Sequence, residues 1–203
     1  MKKKWFLLVF AFAVVVVAVA SVYLYTQMED RGFRAVDGRP TVWTQHALPL
    51  NVIVGLTVDD DAWTVALDEG ARRWNGVAGR EILVVHVLPA SGALPSVSGS
   101  FVTVEMSEDV GDDTGEPEVT NPHTKLFWRD DGTLIAAKIL LPSSKIIDDG
   151  SMRRVAAHEL GHVLGLDHDD QMESVMFWKA FSSAGVISES DAALIASTYG
   201  AAR

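Results

Sequence analysis

Three histidines and one glutamate stand close together in the segment HELGHVLGLDH, which begins at His158. His158 and His162 are four residues apart, so on a helix both imidazoles lie on one face at a separation suited to a shared zinc ion. Glu159 is rotated by about 100° from His158 on such a helix and would flank the metal without having to ligate it. That is the position needed to take a proton from zinc-bound water. The spacing therefore separates two metal ligands from one general base.

Gly165 and His168 extend this pattern beyond the helix. Gly165 can adopt the left-handed conformation that ends a helix, and the reversed chain then brings His168 back as a third ligand. Three neutral nitrogen ligands leave a fourth position to water, which is typical of catalytic zinc rather than structural zinc. The alternative is a helix whose histidines are ordinary surface or core residues, but five positions would then have to coincide by chance. The remaining histidines lack such neighbours, and we predict ordinary exposed or hydrogen-bonded roles for His46, His86 and His123.

Three helices are predicted around these residues. Met152–Leu164 carries the first two histidines and has Ser151 as its predicted N-cap, after two aspartates. Upstream, apolar residues at helical spacing predict an amphipathic helix over Trp63–Trp74. A last helix is predicted from Ser188, which can cap it, to Gly200.

Stretches rich in β-branched and apolar residues predict the strands that must support these helices. The predicted strands are Leu48–Val58, Ile82–Leu88, Phe101–Met106, Lys125–Trp128 and Leu134–Leu141. The last two are separated by RDDGT, which has the chemistry of a hairpin turn. Strands mixed with helices indicate an α/β or α+β sandwich rather than a helical bundle.

The first 27 residues have the character of a membrane-directing segment. Three lysines precede an uncharged run, Trp5–Gln27, whose apolar part (residues 5–25) is long enough to cross a bilayer as a helix of ~20 residues. The lysines should stay cytoplasmic, which places the rest of the chain outside the membrane. Ala18–Ala20 offers an A-x-A cleavage pattern, yet the apolar run continues to Tyr25, so an uncleaved anchor and a cleaved signal peptide of a secreted protein both stay open. We predict residues 28–44 as a linker and residues 45–203 as one folded domain.

Composition limits the partners and the chemistry of the chain. It has 27 acidic and 17 basic residues, a formal net charge of −10 and no cysteine. We expect no nucleic-acid partner, because no basic surface would neutralise phosphates. Disulfides, thiolate metal sites and thiol nucleophiles are excluded. The long acidic loop SEDVGDDTGEPEVTNPHT, residues 107–124, is a candidate calcium site. We expect a monomer.

The histidine segment also resembles a known family of peptidases. HELGHVLGLDH matches the HExxHxxGxxH signature of the metzincins at every defined position. Met176, in ESVMFW, lies eight residues after His168, where the matrixin branch has the methionine of its Met-turn. The stretch ISESDAALIASTYG is similar to the closing helix of matrixins. Together these resemblances cover most of Leu48–Gly200.

This resemblance to a matrixin-like metzincin implies a fold and a set of roles. The implied fold is a twisted mixed sheet of about five strands with three helices, and a zinc cleft between an upper and a small lower subdomain. The implied zinc ligands are His158, His162 and His168, while Glu159 polarises the attacking water. Met176 would form the hydrophobic base of the site, and Asp191 matches the aspartate that anchors the closing helix to the Met-turn.

Some positions differ from the matrixin pattern. Ser190 stands where the family has the first of two aspartates, and Asp169 follows the third histidine where matrixins usually have serine or threonine. The stretch MFWKAF lacks the proline that follows the Met-turn and helps to form the wall of the specificity pocket. The substrate preference of the family is therefore not transferred.

We predict a zinc-dependent endopeptidase that hydrolyses extracytoplasmic proteins through a water molecule activated by Glu159. An extended peptide would lie along an exposed sheet edge, part of Lys125–Trp128 or of Leu134–Leu141. Two alternatives stay open. One is a non-catalytic, zinc-stabilised binding module, and the other is a zinc amidase that acts on cell-wall peptides.

Overall fold

The computed structural model describes residues 33–55, 61–88, 99–106, 122–142, 147–180 and 184–200. All of them belong to one unit of the chain, Phe33–Arg203. The predicted membrane-directing segment and the acidic loop of residues 107–121 lie outside these described residues.

The described residues form seven strands, three α-helices and one 3₁₀ turn at Gln45–Ala47. The strands are β1 (Ala35–Val36), β2 (Arg39–Pro40), β3 (Leu50–Val54), β4 (Leu83–Val87), β5 (Phe101–Met106), β6 (His123–Trp128) and β7 (Leu134–Leu141). The helices are α1 (Asp61–Ala78), α2 (Asp149–Val163) and α3 (Glu189–Tyr199).

Five of the strands form one mixed sheet in the order β4-β3-β5-β7-β6. The pairs β3–β4, β3–β5 and β5–β7 are parallel, and β6 is antiparallel to β7. All five residues of β3 are buried, as expected for a central parallel strand, whereas β6 alternates between exposed and buried positions along its first four residues. The sheet and the three helices confirm the predicted fold class.

The edge of the sheet decides between the two strands that could bind an extended peptide. Strand β7 pairs with β5 on one side and with β6 on the other, so it has no free edge. Among the described strands, β6 pairs only with β7. The prediction that Leu134–Leu141 could be an exposed edge is wrong, whereas β6, which contains the predicted Lys125–Trp128, is an edge strand among the described strands.

Helices α1 and α2 pack directly on each other. The indole Nε1 of Trp74 donates to the carbonyl of Ala157 at 2.9 Å, and both residues are buried. Gly70 allows this approach, since a Cβ there would lie 3.2 Å from the Cα of Ala157. The α1 helix thereby supports the middle of α2, where the predicted metal ligands begin.

The start of α2 differs from the prediction. Asp148, not Ser151, is the N-cap residue, and the helix begins three residues earlier than predicted, at Asp149. The Asp148 carboxylate accepts hydrogen bonds from the backbone N–H of Ser151 at 3.0 Å and from its hydroxyl at 2.6 Å. A carboxylate with two acceptor oxygens can satisfy both donors, which explains why it takes the capping position.

Residues 33–44, part of the predicted linker, contact the rest of the unit in the structure. The backbone N–H of Arg34 donates to the carbonyl of Gly165 at 2.7 Å. Trp43 is only 2% exposed, and its indole Nε1 donates to the carbonyl of Val163 at 2.7 Å. This segment therefore lies against the C-terminal end of α2.

The closing helix α3 also contacts the C-terminal end of α2, through one side chain. Tyr199 is fully buried, and its hydroxyl donates to the carbonyl of Leu164 at 2.8 Å and accepts from the backbone N–H of Trp43 at 3.3 Å. Burial raises the pKa of Tyr199, so the hydroxyl keeps its proton for this bond. The Tyr199 hydroxyl thus links α3, the segment before β3 and the end of α2.

The predicted localisation needs a correction. In the part of the chain that the structure describes, none of the helices combines the length and the apolar character needed to cross a bilayer. The prediction of a membrane-anchored or secreted protein with an extracytoplasmic catalytic domain is therefore contradicted. It depended on residues 1–27, which lie outside the described residues.

Candidate active site

The structure brings the three histidines of HELGHVLGLDH together. One nitrogen from each of His158, His162 and His168 lies within 4.8 Å of the others. The Nε2 atoms of His162 and His168 are 3.2 Å apart. His158 and His162 are buried on α2, whereas His168 lies in the following loop and is exposed to the cleft side. Among the described residues these three form the group that could hold a metal ion.

The other ring nitrogen of the two helical histidines is held by a backbone carbonyl. His158 Nδ1 lies 2.7 Å from the carbonyl oxygen of Val175, and His162 Nδ1 lies 2.8 Å from that of Leu166. A carbonyl only accepts, so each Nδ1 must carry the proton and donate it. In the neutral rings this leaves an unprotonated Nε2, the form that binds a metal.

Burial favours these neutral rings. Desolvation lowers the pKa of His158 to about 4 and that of His162 well below its ordinary value. The pKa of His168 is also lowered, mainly by partial burial. The Nε2 atoms of His162 and His168 are within hydrogen-bonding distance, so one neutral ring can donate to the other, and a bound cation would replace this contact. This donor set of three neutral imidazoles fits a zinc ion with a fourth position open.

A turn after α2 delivers the third histidine. Gly165 has φ +94°, and a Cβ at this position would overlap with the backbone oxygen of Thr41. Its N–H donates to the carbonyl of His162 at 2.8 Å, and the N–H of Leu166 donates to that of Gly161 at 3.1 Å. Gly165 thus has the left-handed conformation predicted for the residue that reverses the chain towards His168.

Glu159 lies at the bottom of the cleft beside the histidines. It is 2% exposed, and its Oε2 accepts a hydrogen bond from the Thr124 hydroxyl at 2.7 Å. Burial raises the pKa of Glu159 to about 7, although the Thr124 bond and the charge of Arg34 act in the opposite direction. A divalent cation bound beside Glu159 would lower its pKa from this value. A carboxyl group in this range can both accept and return a proton near neutral pH.

Met176 is a buried residue of the loop that follows His168, and it packs against α2. It is fully buried, and its sulfur packs against Gly161. Its carbonyl accepts from the N–H of Asp169 at 2.8 Å, and its N–H donates to the hydroxyl of Ser174 at 3.0 Å. The methionine and the carbonyl that holds His158 are therefore on adjacent residues of one loop.

Asp191 lies in the first turn of α3. Its Oδ2 accepts from the hydroxyl of Ser188 at 2.8 Å, and its own N–H donates to that hydroxyl at 3.1 Å. Ser188 is the N-cap residue of α3, as predicted. The role of Asp191 in anchoring α3 to the Met176 loop stays a prediction.

The site opens into a cleft of about 520 Å³. Its lining includes Pro122–Thr124, at the start of β6, and Trp178–Ala180. Arg34 and Lys179 are the cationic residues of this lining, whereas Glu159 is the one carboxylate among the lining residues that the structure describes.

The remaining histidines differ in their surroundings. His123 lines the cleft and is exposed, but it is outside the group of convergent nitrogens. His86 Nε2 lies 2.9 Å from the side-chain oxygen of Asn51, on the neighbouring strand. His46 is exposed.

Several residues of the site were missed by sequence reasoning. Thr124 was part of the acidic loop in the prediction, and Arg34 was part of the linker. Gly161 fell at an undefined position of the histidine motif. The one available signal was strand periodicity, because an inward Leu126 on β6 places Thr124 on the same face. The predicted calcium site is not tested, since residues 107–121 lie outside the described ones.

Comparison with known proteins gives one match to a family and a similar solved structure. Residues 10–200 match the family model described as Matrixin. The crystal structure of archaemetzincin from Methanopyrus kandleri is 12% identical in sequence, with a TM-score of 0.47. The match covers 80% of this chain and 98% of that chain. No curated protein matches this chain.

Proposed function

Because the chain belongs to the matrixin family and is therefore a zinc metallopeptidase, we propose that it is an endopeptidase in which Glu159 activates water. The observation that supports this most directly is the buried Glu159 carboxylate next to three convergent, neutral imidazoles in an open cleft. A structural zinc site has no use for a general base in that position.

We assign the metal ligands to His158, His162 and His168, each through Nε2. The two carbonyls of Val175 and Leu166 orient the first two rings, as partners of this kind do in metal sites. When bound, zinc supplies a Lewis acid that lowers the pKa of water and polarises a carbonyl. Gly165, Met176 and Asp191 are assigned to support the ligand loop and are not proposed to contact the substrate.

Glu159 carries the proton transfers in this proposal. It takes a proton from the attacking water while the water oxygen adds to the carbonyl carbon of the scissile bond. It then gives that proton to the leaving amine as the bond between carbon and nitrogen breaks. Its burial keeps bulk water from competing for the same proton.

Strand β6 is the proposed binding edge for the substrate. An extended peptide can add to β6 through main-chain hydrogen bonds, because β6 pairs only with β7 among the described strands. The N-terminal end of β6 forms one wall of the cleft that contains Glu159. A peptide bound along this edge would present its backbone, rather than a terminus, to the histidines, which is the arrangement of an endopeptidase.

One experiment tests the proposal through zinc content and peptide cleavage measured on the same samples. Wild type should bind one zinc ion and cleave a quenched fluorescent peptide library, whereas Glu159→Ala should keep the zinc and lose cleavage. Glu81→Gln, an exposed carboxylate outside the cleft, serves as the matched control. Turnover retained by Glu159→Ala would contradict the assignment. A wild type that binds zinc and cleaves no peptide would favour the binding module, and cleavage of peptidoglycan fragments alone would favour the amidase.

A further inference from the structure

Thr124 is a polar residue that faces inward on the edge strand. It is 9% exposed and stands between the exposed His123 and Lys125 on β6. Strand alternation turns its side chain away from the solvent face and towards α2. A buried hydroxyl needs a hydrogen-bond partner, and at this position the partner belongs to the active site.

The Thr124 hydroxyl contacts Glu159 at two atoms. Its Oγ1 lies 2.7 Å from Glu159 Oε2 and 3.2 Å from the Glu159 backbone oxygen. The hydroxyl has one proton, and we assign it to the carboxylate oxygen because that bond is shorter and charge-assisted. Among the described residues Oε1 has no hydrogen-bond partner, and Glu159 lines the cleft. One carboxylate oxygen is thus held by the protein, while the other stays available to water.

The position of Thr124 on β6 gives this bond a second consequence. The backbone of the same strand is the proposed binding edge for the peptide. A glutamate side chain has three rotatable bonds, so its carboxylate needs an external contact to keep one orientation. A contact from β6 would fix the orientation of the Glu159 carboxylate relative to the strand proposed to bind the substrate, in addition to its orientation relative to α2.

We propose that Thr124 is a positioning residue for peptide hydrolysis, whose hydroxyl holds the Glu159 carboxylate in line with a peptide bound along β6. This inference rests on the proposed function. It assigns the hydroxyl group, and not the size of the side chain, as the feature that the reaction requires.

Three variants separate the hydroxyl from the packing. Thr124→Val keeps the shape and removes the hydroxyl, and its kcat should fall roughly 10- to 100-fold, the usual cost of losing a group that orients an active-site residue. Its KM should change little, because main-chain contacts of β6 remain. Thr124→Ser keeps the hydroxyl and should recover most of the lost kcat. Thr103→Val, on an exposed position of β5, is the matched control and should behave as wild type.

A spectroscopic measurement provides a test that does not depend on turnover. The ¹³C carboxylate resonance of Glu159, assigned with Glu159→Gln in the zinc-loaded full chain, should shift in Thr124→Val and return in Thr124→Ser. Zinc content should be equal in all variants. If Thr124→Val does not fold, Thr124→Ala replaces it in the same comparison with Thr124→Ser.

The outcomes distinguish this inference from the proposed function. An inactive wild type contradicts the proposed function itself. An active wild type with an unchanged kcat in Thr124→Val overturns only the role of Thr124. An equal loss of kcat in Thr124→Val and Thr124→Ser also overturns it, because packing would then be the cause.

Discussion

Gly161 lies in direct contact with the sulfur of Met176, so close that a Cβ on Gly161 would overlap with it. The same Cβ would come within 3.1 Å of the Trp74 ring. A side chain at residue 161 would therefore displace the Met176 side chain from the helix that carries His158 and His162. The loop in turn supplies the Val175 carbonyl that orients His158.

Gly161→Ala should therefore damage both stability and metal binding. Forcing a methyl group into this contact should cost about 1–3 kcal/mol in the free energy of unfolding, as overpacking usually does. Moving the Met176 loop should also weaken zinc binding through His158. Gly76→Ala, in α1 with open space around it, is the control and should be stabilising by about 0.5–1 kcal/mol. Denaturant unfolding and zinc competition titrations measure both effects, and a Gly161→Ala variant with wild-type values would contradict the contact.

The buried carboxyl group of Glu159 predicts a pH-dependent stability in the zinc-free protein. Its pKa is about 7 when folded against 4.5 in its ordinary state, so the folded protein binds more protons between these values. Stability from this group is present at low pH and is lost as the pH rises towards 7. The Glu159→Gln variant has no ionisable group at this position, so it should not lose this stability as the pH rises. The variant should gain on the order of 3 kcal/mol in unfolding free energy relative to wild type between pH 4.5 and pH 7.

Comparison of the two proteins at each pH isolates this effect. The histidines have lowered pKa values and destabilise the fold as the pH falls, but they are present in both proteins and cancel in the difference. The measurement is urea unfolding with a chelator present, since bound zinc would lower the pKa of Glu159. A difference that is constant with pH would show that Glu159 ionises normally in the fold.

Removal of one histidine should weaken zinc binding while leaving the fold in place. His168→Ala removes a ligand from an exposed loop, so the cost to the zinc-free fold should be small. Zinc affinity should fall by more than about 100-fold, because loss of a mere supporting contact already costs about 10- to 100-fold. Zinc at about 100 times its Kd should stabilise wild type by about 2.7 kcal/mol, and the variant much less. His46→Ala, at an exposed position far from the site in sequence, is the control. Equal zinc stabilisation of His168→Ala and wild type would remove His168 from the ligand set.

The cations of the cleft predict a preference among peptide substrates. Arg34 and Lys179 line it, and Lys179 Nζ lies 4.4 Å from the centre of the Trp178 ring, which holds it at the wall. Peptides with glutamate near the scissile bond should be cleaved with a kcat/KM up to about fivefold higher than matched glutamine peptides, since an exposed ion pair contributes about 0.2–1 kcal/mol.

Salt and substitution provide the controls for this preference. It should shrink in Lys179→Gln and disappear near 1 M salt, where the screening length is only about 3 Å. Arg72→Gln, at an exposed position of α1 that does not line the cleft, should leave the preference unchanged. Equal cleavage of glutamate and glutamine peptides by wild type at low salt would contradict it.

The local parts of the fold could be predicted from the sequence because their signals are local. Helical spacing placed His158 and His162 on one face, and Gly165 marked the turn that brings back His168. The bounds of β5 and β7 were predicted as the structure has them, since turn residues delimit both stretches.

Contacts between distant residues could not be predicted in the same way. The bond from Thr124 to Glu159 spans 35 residues, and no periodicity in either segment indicates it. Trp43 was assigned to a linker because its neighbours are polar and irregular, yet its burial is decided by Val163 and Tyr199. The N-cap of α2 was misplaced because Asp148 and Ser151 are both good caps, and only their mutual geometry selects Asp148.

The Tyr199 hydroxyl has a consequence for the order in which the protein can be built. It fixes Leu164, which is made 35 residues earlier, and Trp43, which is made 156 residues earlier. During synthesis at about 5–20 residues per second, all three histidines and Glu159 emerge before the residue that ties down the end of their helix. A chain stalled before residue 199 would thus hold every proposed ligand and the base, but lack the bond that secures the helix that carries them.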